Sequence, residues 1–243
     1  MQTLPKLNKI QAKIFTLMNM HLLHNKKINN LICSFALIVL ALLNSCTAKP
    51  PHETGQFTAS NLVELIKLDT GIHLDIKYAT NNNFADRQVY QEARAFLQRP
   101  AAEALVKVNK ELKLLGYGLL IYDGYRPWSV TKIFWDITPE ENKKFVANPK
   151  EGSKHNRGCA IDLSLYEIAS GKEVQMTSQY DEMSERSYPN YTGGTAEQRK
   201  MRDLLRRLME ANDFTVYDCE WWHFDYKDWK SYRIENIQFS EIN

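Results

Sequence analysis

Apolar and polar residues alternate through GIHLDIKYAT (71–80), with Ile72, Leu74, Ile76 and Tyr78 in one phase, which predicts a half-buried strand. From residue 101 to 115 the apolar positions fall at 101, 104, 105, 108, 112 and 115. That is one face of a helix, and Gly116 stands where its C-cap belongs. GLLIYDGYRP (118–127) reads as a buried strand running into a loop, and CAIDLSLY (159–166) as another strand. Thr195 and Gln198 make a capping box for a helix over about 196–211, with Leu204, Leu205 and Leu208 facing inward. FTVYDCEWWHFDY (214–226) reads as a last strand. Helices and short, antiparallel-looking strands are mixed, so the expected class is α+β: one domain over 59–243, with a central, mostly antiparallel sheet flanked by helices.

The N-terminal 45 residues follow a different pattern. They carry lysines at 6, 9, 13, 26 and 27 and no acidic residue, and the apolar run LICSFALIVLALL follows the basic HNKKINN. A basic region followed by a short apolar run predicts a secretory signal over 1–45, because a membrane-spanning helix needs about 20 apolar residues. Leu43-Asn44-Ser45-Cys46 resembles the lipobox of bacterial lipoproteins, which implies lipidation of Cys46 and an exported, membrane-anchored protein. Residues 46–58, polar and with two prolines, read as a tether.

Without the leader, 26 basic residues face 29 acidic ones, so the basic balance of the whole chain does not describe a nucleic-acid surface. Two cysteines remain in the domain, Cys159 and Cys219, too few for a disulfide-rich scaffold; the sequence leaves open whether they pair in an oxidising compartment or stay as buried free thiols.

Four histidines remain after the leader: His52, His73, His155 and His223. His52 falls in the tether and His73 in the polar phase of a strand, both surface positions. His155 stands among small and polar residues just before the strand that holds Asp162 between Ile161 and Leu163. A carboxylate at such a position needs a cation. His155, Asp162 and His223 would give two imidazoles and one carboxylate, the three-ligand pattern of catalytic zinc, or else belong to a buried ion-pair network. Spacing adds a condition. Residues seven or three apart point to opposite faces of an ideal strand, so His155 must precede a turn at Asn156-Arg157-Gly158, and Glu220 and His223 need a bend or bulge between them.

SKHNRGCAIDLSLY, followed some sixty residues later by EWWHFDY, resembles the SxHxxGxAxD … ExxH signature of zinc D-alanyl-D-alanine peptidases. With DIKYATNNNF, GYGLLIYDGYRP and YDEMSERS in order, the chain is most similar to the D-alanyl-D-alanine dipeptidases that include the vancomycin-resistance enzyme. The resemblance implies one Zn2+ per chain held by His155, Asp162 and His223, with Glu220 as general base and Arg126 stabilising the oxyanion. It further implies that Asp181 holds the ammonium of D-Ala-D-Ala with Tyr78 beside it, and that Ser153 hydrogen-bonds its carboxylate. Trp221 and Trp222 are expected around the site or in the core. Two other readings stay open: a D,D-carboxypeptidase or endopeptidase on longer peptidoglycan stems, and a non-catalytic wall-binding module.

Overall fold

A computed structural model of the chain describes residues 48–242. The expected leader and Cys46 lie outside the described residues, and among those described no helix is long and apolar enough to cross a membrane.

A small antiparallel ribbon pairs β1 (Leu62–Glu64) with β3 (Phe96–Gln98). The main sheet consists of β2 (His73–Leu74), β4 (Tyr117–Asp123), β5 (Ala160–Glu167), β6 (Phe214–Tyr217) and β7 (Glu220–Tyr226). Its spatial order is β2-β4-β5-β7-β6, and only the short β2 pairs in parallel. Helix α1 (Arg99–Leu114) packs against β4, and α3 (Ala196–Ala211) against β6. One buried cluster holds Leu105, Val108 and Leu112 of α1, Ile161, Leu163 and Leu165 of β5, and Leu205 and Met209 of α3.

Three elements match their patterns closely. The capping box at α3 is complete, with the Thr195 hydroxyl accepting from Gln198 N and the Gln198 side chain accepting from Thr195 N. β4 is buried along most of its length, as a strand covered on both faces should be. α1 ends one residue early: Leu115, expected on the buried face, is half exposed because the helical period stops at Leu114. Gly116, at φ +87°, then turns the chain.

Two strand expectations need correction, and one helix lies outside the pattern. GIHLDIKYAT pairs only at His73 and Leu74 and then leaves the sheet in a tight turn over Lys77–Ala79. Ile72, Ile76 and Tyr78 are still buried, but the Tyr78 carbonyl accepts from Val89 N and Tyr90 N, so a covering loop replaces a strand neighbour. FTVYDCEWWHFDY is two strands, β6 and β7, folded back at Asp218-Cys219; aspartate is a turn residue that the apolar run concealed. Helix α2 (Trp128–Ile137) had no counterpart in the apolar pattern, although Pro127 marks its start.

Part of the segment expected as a tether is fixed on the domain. The Glu53 carboxylate accepts from Arg157 Nη2 at 2.5 Å and from Ile234 N at 2.7 Å, and Thr58 N donates to Ser231 O at 2.8 Å. Cys159 and Cys219 are both free thiols.

Candidate active site

The sheet register aligns the site. Asp162 of β5 sits directly between Asp123 of β4 and His223 of β7. β4 is irregular between Ile121 and Asp123, and the β6–β7 pairing shifts between Val216 and Tyr217. That second shift is the bulge required between Glu220 and His223. It lets both residues, with Trp222, line one cavity of about 330 Å³. His155 enters from outside the sheet on a tight turn, His155–Arg157, ended by Gly158 at φ +66°. A Cβ at Gly158 would come 2.5 Å from Leu62 Cδ2, a side-chain end that can move aside, so the backbone angle is what calls for glycine there.

Hydrogen bonds fix the two imidazoles. His155 Nδ1 donates to the Gly124 carbonyl at 2.7 Å, which leaves Nε2 as a lone pair. His223 Nε2 donates to Asp225 Oδ1 at 3.0 Å, which turns Nδ1 inward. His155 Nε2, His223 Nδ1 and Asp162 Oδ1 then lie 3.1, 3.3 and 3.0 Å apart, pair by pair. Asp162 Oδ1 is buried and receives no hydrogen bond. Three acceptors facing one another at this range need a positive charge between them. Without a metal the relief is a proton on His223: burial opposes it, but Asp225 and Asp162 draw the imidazole up to about 10. Burial likewise opposes ionisation of Asp162, yet His155 and His223 outweigh it and hold this carboxyl well below its usual range.

A tetrahedral ion with ligand bonds of about 2.05 Å spaces its ligand atoms about 3.3 Å apart. The three atoms meet that spacing with little movement, and together they are the one group among the described residues with metal-ligand geometry. The donor set fits zinc.

Glu220 stands beside this centre, its Oε2 3.7 Å from His223 Nδ1, and burial pushes its carboxyl up to about 7. Arg126 is buried, with Nε and Nη2 each 2.8 Å from Asp123 Oδ2 and Nη2 3.6 Å from Asp162 Oδ2. Its guanidinium packs over Phe134, 4.9 Å from the ring centroid. Asp181 takes a left-handed backbone, φ +60°, uncommon outside glycine, and its Oδ2 accepts from Tyr78 Oη at 2.8 Å. Burial raises the Asp181 carboxyl well above its usual range, with the Tyr78 hydroxyl pulling the other way. The nearby Arg186 faces Glu182 at 3.6 Å rather than Asp181. Ser153 reaches the cavity and also caps the His155 turn, its Oγ accepting from His155 N at 3.2 Å.

The structure thus gathers all eight expected domain residues around one cavity: Tyr78, Arg126, Ser153, His155, Asp162, Asp181, Glu220 and His223. His52 and His73 stand apart from it, and the tryptophans divide. Trp222 lines the cavity, whereas Trp221 is core with its Nε1 on Ser178 Oγ at 2.8 Å. Sequence reasoning missed the supports behind the site: Asp123 under Arg126, Asp225 with Lys154 behind His223, and Tyr180 on Asp162 Oδ2. All four lie inside the quoted motifs, but nothing in the sequence assigns them these roles.

Residues 58–241 match the peptidase M15 family, described as D-ala-D-ala dipeptidase. The chain is 34% identical over 181 residues to a D-alanyl-D-alanine dipeptidase of Escherichia coli (strain K12), covering 74% of this chain and 92% of that protein. It is 36% identical to the D-alanyl-D-alanine dipeptidase of Enterococcus faecium, over 65% of this chain and 87% of that one. To that of Enterococcus faecalis (strain ATCC 700802 / V583) it is 38% identical, over 63% and 85%.

Proposed function

Because the chain belongs to the D-Ala-D-Ala dipeptidase family of M15 metallopeptidases, we propose that it hydrolyses D-alanyl-D-alanine to two D-alanines, with one zinc ion held by His155, Asp162 and His223. The observation that carries this reading is the buried, undonated Asp162 Oδ1 within 3.3 Å of two inward-facing imidazole nitrogens. Zinc there would supply Lewis acidity, bringing the ionisation of water near neutral pH and polarising a peptide carbonyl. The chain's own residues do the rest. Glu220 takes the proton from the attacking water and returns it to the departing amine. The Arg126 guanidinium, held rigid by Asp123, faces the negative charge that grows on the carbonyl oxygen.

Asp181 and Tyr78 take the substrate's free ammonium, and Ser153 its carboxylate. An acylated peptide stem has no ammonium to offer Asp181, which favours the dipeptide over the longer stems. The test is an assay of zinc-loaded residues 46–243 on D-Ala-D-Ala and on a pentapeptide ending in D-Ala-D-Ala. Cleavage of the dipeptide with at most a trace on the pentapeptide is expected. Preferential cleavage of the pentapeptide would move the enzyme to the carboxypeptidase reading, and cleavage of neither would leave the wall-binding module.

The carboxylate behind His223 adds a second expectation. Asp225 fixes the imidazole through Nε2 and is itself held by the Lys154 ammonium. Asp225→Asn should weaken zinc binding by about 10- to 100-fold, measured by chelator competition, because partners of this kind set the orientation and basicity of a ligating histidine.

At the N-terminus the proposal includes export and lipidation at Cys46. A palmitate-analogue label should mark the wild-type protein in bacterial cells and be lost in Cys46→Ser; a label that persists would remove the anchor from the account.

A further inference from the structure

A hydroxyl network joins the two ends of the site. Tyr180 Oη lies 3.0 Å from Asp162 Oδ2 and 3.2 Å from Tyr78 Oη, and Tyr78 Oη donates to Asp181 Oδ2 at 2.8 Å. Asp162 thus offers Oδ1 to the two imidazoles, while Oδ2 meets Tyr180 and, at 3.6 Å, Arg126.

Proton counting sets the direction of these bonds. A phenol has one proton, so Tyr180 cannot donate to Asp162 and Tyr78 together. An ionised carboxylate is the stronger acceptor and here also the nearer one, so the Tyr180 proton goes to Asp162. The Tyr78 proton is committed to Asp181, and its oxygen keeps a free lone pair at the amine end of the cavity.

Packing holds Tyr180 in place independently of these bonds. Its ring stacks on Tyr122, with centroids 4.5 Å apart and planes 29° from parallel. Trp222 meets its edge at 5.5 Å. It adjoins Asp181, so one turn delivers both side chains to the site.

We propose that Tyr180 is a positioning residue of the metal centre: its hydroxyl fixes the Asp162 carboxylate so that Oδ1 is presented to the cation, and it leaves the Tyr78 oxygen open to the substrate ammonium. This rests on the zinc reading above. It gives a role to a residue that opens the YDEMSERS motif but that the resemblance leaves unassigned, and it joins the amine subsite to a metal ligand through two phenols.

The test uses Tyr180→Phe, which removes the hydroxyl and keeps the stacking ring, with Tyr78→Phe as its comparison. Zinc affinity is measured by chelator competition without substrate, and the cobalt-substituted proteins are compared by visible absorption. Melting of the metal-free proteins checks the fold. Tyr180→Phe is expected to bind zinc about 10- to 100-fold more weakly, the usual cost of losing a partner of a metal ligand, and to shift the cobalt bands. Tyr78→Phe, one link further from the metal, should bind zinc within about threefold of wild type and raise KM for D-Ala-D-Ala. Tyr180→Phe with wild-type zinc affinity and cobalt spectrum would overturn the inference and leave the zinc reading standing. Wild-type protein that binds no zinc would overturn both, and equal loss of zinc in both variants would overturn the specific link to Asp162.

Discussion

Glu220→Gln is expected to lower kcat on D-Ala-D-Ala by about 10²- to 10⁴-fold, the usual contribution of a positioned general base, with zinc content unchanged. Glutamine keeps the shape of the side chain but cannot accept a proton. Glu220 is not among the three atoms of the candidate metal site, so its loss should spare the metal. Its setting suits the role. Burial raises its carboxyl to about 7, where one group can both take and return a proton near neutral pH. The β6–β7 bulge keeps it 3.7 Å from His223 Nδ1, beside the candidate ligands without being one of them. Kinetics and metal analysis on the same preparation check this. A variant with near wild-type kcat would require another base.

Arg126→Ala should cost about 10²- to 10³-fold in kcat and much less in KM, because the charge it faces develops only in the transition state. Arg126→Lys is expected to recover only part of the loss. The guanidinium is clamped through Nε and Nη2 to Asp123 and laid over Phe134, a planar arrangement that a single ammonium cannot reproduce. Removing the arginine also strands Asp123 in the core, with only Tyr90 Oη and Gly124 N donating to its Oδ1. The alanine variant should therefore melt earlier, and the lysine variant separates that effect from the chemistry. Loss confined to KM would make Arg126 a ground-state binding residue instead.

The motifs disclosed the reacting side chains but not what holds them. His155, Asp162, Glu220 and His223 could be singled out because histidines and a carboxylate are conspicuous among apolar residues. Even the need for a turn after His155 and a bulge before His223 followed from strand periodicity alone. Asp123, Asp225 and Tyr180 were not legible, because their roles depend on cross-strand register and on loop placement. Asp225 looks like any polar residue near a strand end until β5–β7 pairing sets His223 beside Asp162 and turns its ring back toward Asp225. Tyr180 is six residues beyond Val174, whose amide bonds Leu165 O alongside β5, and nothing in its sequence neighbourhood points to Asp162.

The fold divided along similar lines. α3 was legible to the residue because a capping box and a helical face agree. The 71–80 segment was not, since alternation reports which side chains are buried and not whether the backbone has a strand beside it. Tyr78 shows the difference: it is buried, as the alternation requires, by the loop bearing Val89 and Tyr90 and by its bond to Asp181.

Zinc at His155, Asp162 and His223 is tested by the metal content of the purified domain, measured by elemental mass spectrometry for wild type and Asp162→Asn after dialysis against a weak chelator. One zinc per chain is expected in the wild type and almost none in the variant, whose neutral side chain no longer balances the cation between two imidazoles. Stoichiometric zinc in Asp162→Asn, or none in the wild type, would contradict zinc at these three residues.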